Sequence, residues 1–146
     1  MNTEMRPSQS PDMPDLSAPA CYPHPVAAVR MLETHISRVY LTGEYAYKLK
    51  KPVALGFLDF TTLEMRRCAC EDELRLNRRL APQLYLEVVA IHGTLSTPRI
   101  GGDGPVIDCA VKMREFPQQD LASAMLARGA LTEEALAALA RCVAEF

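Results

Sequence analysis

Residues 36–51, ISRVYLTGEYAYKLKK, followed by residues 61–80, TTLEMRRCACEDELRLNRRL, decide what this chain can fold into. Ile36 to Leu41 and Tyr45 to Lys50 are short runs rich in β-branched and aromatic residues, and they flank Thr42-Gly43-Glu44. That pattern predicts a β-hairpin. Residues 61–80 predict a long helix. Thr61 and Glu64 have the spacing of a capping box, in which hydroxyl and carboxylate each satisfy an orphan backbone N–H. Arg78 and Arg79 fall in the last turn, where positive charge suits the helix dipole, and Pro82 closes the element. The intervening segment 51–60 carries Pro52 and Gly56 and reads as a loop with apolar anchors.

Further along the chain, Leu84–Ile91 and Val106–Met113 read as strands on either side of the turn Gly101-Gly102-Asp103-Gly104-Pro105. That turn is no dinucleotide fingerprint, because no helix follows it. Leu121–Arg128 reads as a helix ending at Gly129. Thr132 caps a last helix whose apolar stripe is Leu136, Leu139, Ala140 and Val143. Upstream, residues 25–33 predict a short helix with Pro25 in its first turn and Val26, Val29 and Leu32 on one face. Six of the 11 prolines fall within residues 1–25, so this stretch reads as a disordered or loosely attached tail. The fold class expected is α+β: a small antiparallel sheet, one long helix packed on it, then two C-terminal helices.

Composition narrows the function. The chain has 146 residues, 49% hydrophobic and 23% charged, which is globular composition. Sixteen Lys and Arg against 18 Asp and Glu give a formal charge of −2, without the basic excess of a nucleic-acid binder. No apolar run is long enough to span a membrane. Five cysteines, an odd number without framework spacing, and an N-terminus lacking an apolar signal core point to free thiols in the cytoplasm. Cys68-x-Cys70 lacks the two-residue spacer usual for zinc, and helix-buried thiols are the better reading.

Strand alternation puts Tyr45, Tyr47 and Leu49 on one face and Ala46, Lys48 and Lys50 on the other. A small residue two positions before a lysine leaves room for a flat ring beside an ammonium that reaches phosphate. Lysines that discourage edge pairing are the competing reading. Glu73 sits within the less charged arc of the long helix, with Ala69, Leu76 and Leu80. A carboxylate facing a core needs a partner. Lys48 or Lys50 would serve across the sheet, and Asn77 or Arg66 would serve at the rim. Hydroxyls and backbone N–H groups of Thr34, His35 and Ser37 are weaker phosphate candidates.

The stretch THISRVYLTGEYAYKLKKPVALGFLDFTTLEMRRCACEDELRLNRRLAPQLYLEVVAI resembles the N-terminal region of bacterial aminoglycoside phosphotransferase-like proteins, which are protein-kinase-like. These often continue into a P-loop ATPase domain. GFLDF, ELRLNRRLAP and AVKMREFP carry the resemblance, which covers about residues 25–146. It implies a kinase-like nucleotide-binding small lobe over 26–116 and the incomplete start of a helical lobe over 117–146. It implies ATP as ligand, with Lys48 on the α- and β-phosphates, Lys50 as second choice, and Glu73 orienting the lysine. Ala46 would line the adenine pocket, Met113 would gate it beside a hinge at 112–115, and Ser37 and His35 would belong to a phosphate-covering turn. The family reaction is ATP-dependent phosphorylation of a small-molecule hydroxyl. No His-Gly-Asp or His-Arg-Asp loop, with its following Asn and metal-binding Asp, occurs in these residues, and neither does GxxxxGK[ST]. The expectation is therefore a truncated chain without catalytic residues, inactive alone, with magnesium bound only alongside the larger lobe. The alternative is a non-catalytic interaction module, or a gene fragment, that docks on a protein partner or on itself through an exposed face of Leu136, Leu139, Val143 and Phe146.

Overall fold

The computed structural model describes residues 12–146. Six strands form one antiparallel sheet: β1 (Arg30–Glu33), β2 (Ser37–Leu41), β3 (Tyr45–Lys50), β6 (Tyr85–Gly93), β7 (Pro98–Ile100) and β8 (Val106–Arg114). Their spatial order is β1-β2-β3-β8-β6-β7, so β8 inserts between the two hairpins. A two-strand hairpin, β4 (Ala54–Leu55) and β5 (Leu58–Asp59), stands apart from the sheet. The helices are α1 (Leu63–Asn77), α2 (Ala122–Ala127) and α3 (Glu133–Ala144). The fold is α+β, with one long helix packed on an antiparallel sheet and two helices after it.

The turn between β2 and β3 needs its glycine. Gly43 has φ +100°, a conformation that side chains with a Cβ rarely adopt. Its N–H donates to Glu115 Oε2 at 2.6 Å, which ties the turn to the segment leaving β8. The cap of α1 lies one residue later than the Thr61–Glu64 spacing suggests. Thr62 accepts from the Met65 N–H at 3.2 Å, while Thr61 is bound by Asp59 through its N–H and hydroxyl. Thr132 caps α3 as expected, accepting from the Ala135 N–H.

Each face of the sheet has its own cover. Ala46, Lys48 and Lys50 share a face with Met113, Val111 and Cys109, because Ala46 pairs with Met113 and Lys48 with Val111. A bulge between Tyr85 and Glu87 keeps Tyr85 and Val88 together on that side. Cys70 of α1 packs there against Cys109 and Val111, covering part of this face and leaving the Ala46 end open.

The opposite face carries Tyr40, Tyr47, Leu49, Ala110 and Ile91, and the N-terminal segment covers it. The reading of residues 1–25 as a loose tail is therefore corrected for residues 12–25; residues 1–11 lie outside the described residues. Met13, Leu16, Cys21 and Tyr22 are buried in the main core. Tyr22 donates its hydroxyl to the Leu16 carbonyl at 2.7 Å, and His24 Nε2 lies 2.8 Å from the Tyr47 hydroxyl. A proline-rich strap cannot join a ladder, but it packs in extended form if apolar anchors recur along it. Leu16→Ala is expected to cost about 2–5 kcal/mol, because a fully buried side chain leaves a cavity in a two-layer core. Urea denaturation measures it, and a loss under about 1 kcal/mol would mean that the strap is not part of the cooperative fold.

The helix predicted over 25–33 is also corrected. Arg30–Glu33 is β1, paired with β2 through Leu32↔Val39 and Arg30↔Leu41. Val26 and Val29 rest on the main core. Segment 51–60 holds the β4–β5 hairpin, and β7 adds a strand not read from sequence.

Candidate functional site

Lys48 and Glu73 come together. Lys48 Nζ lies 2.8 Å from Glu73 Oε1, and Lys50 Nζ contacts Oε2 of the same carboxylate. Helix α1 thus directs one acid onto two successive same-face positions of β3. The rim alternative does not occur: Asn77 donates to the backbone carbonyl of Glu73, and Arg66 is engaged elsewhere. The edge-protection reading of the lysines also fails. Strand β3 is interior, paired with β2 on one side and β8 on the other, and has no free edge to protect.

The triad carries two cations and one anion in a half-buried setting. Side-chain exposure is 28% for Lys48, 7% for Lys50 and 12% for Glu73. Lys50 is enclosed, with its ammonium 5.7 Å from the centre of the Phe60 ring. Lys48 is the cation that solvent and ligands can reach. Burial pushes the Glu73 carboxyl upward, but hydrogen bonds and charge from Lys48 and Lys50 outweigh it and hold the group below its ordinary value. An acid with a depressed folded-state pKa stabilises the fold above its unfolded pKa, and that contribution is lost as pH falls through the folded value. Wild-type stability is therefore expected to fall below about pH 4.5, the ordinary value for glutamate. Glu73→Gln should remove that share of the pH dependence. Denaturation midpoints across pH 3–7 check it; identical profiles for wild type and Glu73→Gln would contradict it.

Beside Lys48 opens a cleft of about 440 Å³. Its walls include Leu32, Val39, Leu41, Ala46, Tyr85 and Met113. Cross-strand register produces this wall: Leu41, Ala46, Met113 and Tyr85 follow one another across β2, β3, β8 and β6. Ala46 and Met113, two residues singled out from sequence, are thus neighbours in the cleft. Sequence reasoning missed Tyr85 and the wall residues on β1 and β2. Strand periodicity alone marks Val39 and Leu41 as facing the same way as Ala46 and Lys48 once the hairpin is closed. At the mouth, the Arg114 N–H is taken by the Leu84 carbonyl and the Glu115 N–H by the Glu44 carbonyl.

Ser37 pairs with Lys50 across β2 and β3. It is fully buried, and its hydroxyl has no partner. The neighbouring turn differs from expectation. Thr34 Oγ1 accepts from the N–H groups of Ile36 and Ser37, so those donors are consumed within the turn rather than offered to a phosphate. His35 is exposed.

Cys68 and Cys70 diverge on α1, Cys68 to solvent and Cys70 into the core, so only one of the two is a buried thiol. Among the described residues no group of three or more His, Cys, Asp or Glu is placed to hold a metal ion. No helix among them is long and apolar enough to cross a membrane.

The chain aligns over 129 residues, at 40% identity, with uncharacterized proteins of Mycobacterium tuberculosis and Mycobacterium bovis. The alignment takes in 86% of this chain and 24% of each relative, so the chain spans about a quarter of the length of the curated relatives it matches. No family model matches it, and no solved structure does.

Proposed function

We propose that this chain is the ATP-binding small lobe of a kinase-like, aminoglycoside phosphotransferase-like enzyme. The observation that supports it most is the Lys48–Glu73 pair, 2.8 Å apart, opening on an apolar cleft with a second lysine behind it. Two ammonium groups and one carboxylate leave one positive charge in excess, which an anion would complete. An apolar slot beside a cation suits a flat base joined to phosphates. In this reading Ala46, Met113 and Tyr85 bracket the adenine. Lys48 holds the α- and β-phosphates, Glu73 fixes Lys48 in place, and Lys50 keeps Glu73 ionised.

The full reaction breaks the bond between the terminal phosphorus of ATP and its bridging oxygen. It forms a bond from that phosphorus to an acceptor oxygen, with ADP leaving and the hydroxyl proton released. The Asp that would receive that proton and the Asp that would hold magnesium are not among these 146 residues. The expected result for the chain alone is therefore nucleotide binding without phosphorylated product. Calorimetric titration with AMP-PNP tests it, and absence of saturable binding at millimolar nucleotide would refute the reading.

A second reading has its own observation. Every residue of α3 is exposed, including Leu136, Leu139 and Val143, and Phe146 beyond it is exposed too. Such a stripe favours docking on a protein partner or on a second copy. Sedimentation showing a monomer at every concentration would count against self-association.

A further inference from the structure

Two of the five cysteines meet in the core. Cys70 of α1 and Cys109 of β8, 0% and 4% exposed, pack against each other and against Val111. The other three are dispersed. Cys21 belongs to the core on the opposite face of the sheet, and Cys68 and Cys142 are exposed. Buried cysteines are ordinarily inert fillers. This pair differs in what surrounds it. Arg66 and Glu73 lie four residues before and three residues after Cys70, on the same side of α1. Arg66 binds Asp108, the residue beside Cys109, at 2.9 Å, and Glu73 binds Lys48 and Lys50. Ion pairs on either side of Cys70 thus fix helix against strand and hold the two thiols facing one another.

The two thiols are not equivalent. The Cys109 thiol, as hydrogen-bond donor, holds the Cys70 thiol below its ordinary value despite burial, and the Lys50 ammonium acts in the same direction. Cys109 is pushed up, by that hydrogen bond and by burial. Cys70 is therefore the sulfur that ionises first, and the thiolate is the nucleophile. The exposed Cys68 is placed the other way: its thiol donates to the Glu64 carboxylate at 3.6 Å, and an anion there opposes thiolate formation. Access narrows the oxidant. A buried sulfur is closed to a tripeptide disulfide but not to a molecule little larger than water.

We propose that Cys70 and Cys109 are a peroxide-oxidised pair that closes to a disulfide and staples α1 to β8. The Cys70 thiolate attacks one oxygen of hydrogen peroxide. The S–O bond forms, the O–O bond breaks, and the departing hydroxide takes the proton that Cys70 gave up and leaves as water. The Cys109 sulfur then attacks the sulfenic acid on Cys70. The S–S bond forms, the S–O bond breaks, and the hydroxyl leaves as a second water with the Cys109 proton. Two thiols lose two electrons and one peroxide becomes two waters. The link closes one turn ahead of Glu73, so it fixes the helix that carries that acid.

The test uses the 146-residue chain carrying Cys68→Ser, because trypsin leaves Cys68 and Cys70 in one peptide. After exposure to hydrogen peroxide the folded protein is unfolded in N-ethylmaleimide, digested and weighed. The expected product is a Cys70–Cys109 cross-linked peptide pair, two hydrogens lighter than the sum of its parts and released by dithiothreitol. Oxidised glutathione should instead mark Cys142 and leave both core thiols free for alkylation. The linked protein should melt about 5 °C or more above the reduced form, because a closed loop of this length restricts the unfolded chain. Cys109→Ala should abolish the link and let Cys70 proceed to sulfinic acid. The proposal is overturned if peroxide oxidises Cys142 while Cys70 and Cys109 both remain alkylated. It is also overturned if the link forms only in urea, if oxidised glutathione forms it equally well, or if the linked protein melts at or below the reduced midpoint.

Discussion

Lys48→Met is expected to weaken AMP-PNP binding by about 3 kcal/mol, on the order of a hundredfold, while the urea midpoint moves little. The asymmetry follows from the triad. Removing Lys48 takes away the exposed cation, yet Glu73 keeps its bond to the enclosed Lys50 and is not left as an unpaired buried charge. Lys50→Met should behave in the opposite sense. Its side chain is 7% exposed and its ammonium lies over the Phe60 ring, so the larger share of its loss should appear as instability. Comparing the two variants separates ligand binding from structure within a single carboxylate's neighbourhood. Equal affinities for wild type and Lys48→Met would mean that Lys48 serves the fold alone.

The second large effect concerns the joint that aims α1. Arg66 Nε donates to Asp108 Oδ1 at 2.9 Å, and its Nη1 donates to the Phe60 carbonyl at the same distance. Both residues of the pair are buried. Burial pushes the Asp108 carboxyl above its ordinary value despite the opposing influence of Arg66, which marks how much desolvation this contact endures. Asp108→Ala leaves a guanidinium buried without its counter-charge and is expected to cost about 3–5 kcal/mol. Thermal unfolding should then begin on the order of 10 °C lower. Replacing both partners by leucine should cost much less, because no unpaired charge remains. If Asp108→Ala costs under about 1 kcal/mol, the pair does not hold α1 on β8, and another contact must set the height of Glu73.

The long helix, the hairpin and the same-face placement of Ala46, Lys48 and Lys50 were legible because each is a local period, repeated over enough residues to dominate. Glu73 was legible for a different reason: an acid within a helix's less charged arc must find a cation, and two lay on one face of the hairpin strand that precedes the helix. The N-terminal region was not legible. Val26, Val29 and Leu32 at helical spacing are equally the contacts of an extended segment, and nothing local separates the two. Proline content correctly excluded a ladder for residues 12–25 but says nothing about packing, which Leu16 and Tyr22 achieve through long-range contacts with Tyr47 and its neighbours. The two-residue strands β4 and β5 are too short to carry a period at all. The N-cap of α1 shows the same limit: Thr61 and Thr62 are adjacent, and Asp59 decides between them by binding the first.

The most direct test is a backbone NMR titration of the chain with AMP-PNP. The expected result is saturable shift changes at Val39, Ala46, Lys48, Tyr85 and Met113, absent in Lys48→Met. Saturation with shifts confined to the opposite face, around Leu16, Tyr22 and Tyr47, or no saturation in wild type, would contradict a nucleotide held by the Lys48–Glu73 pair.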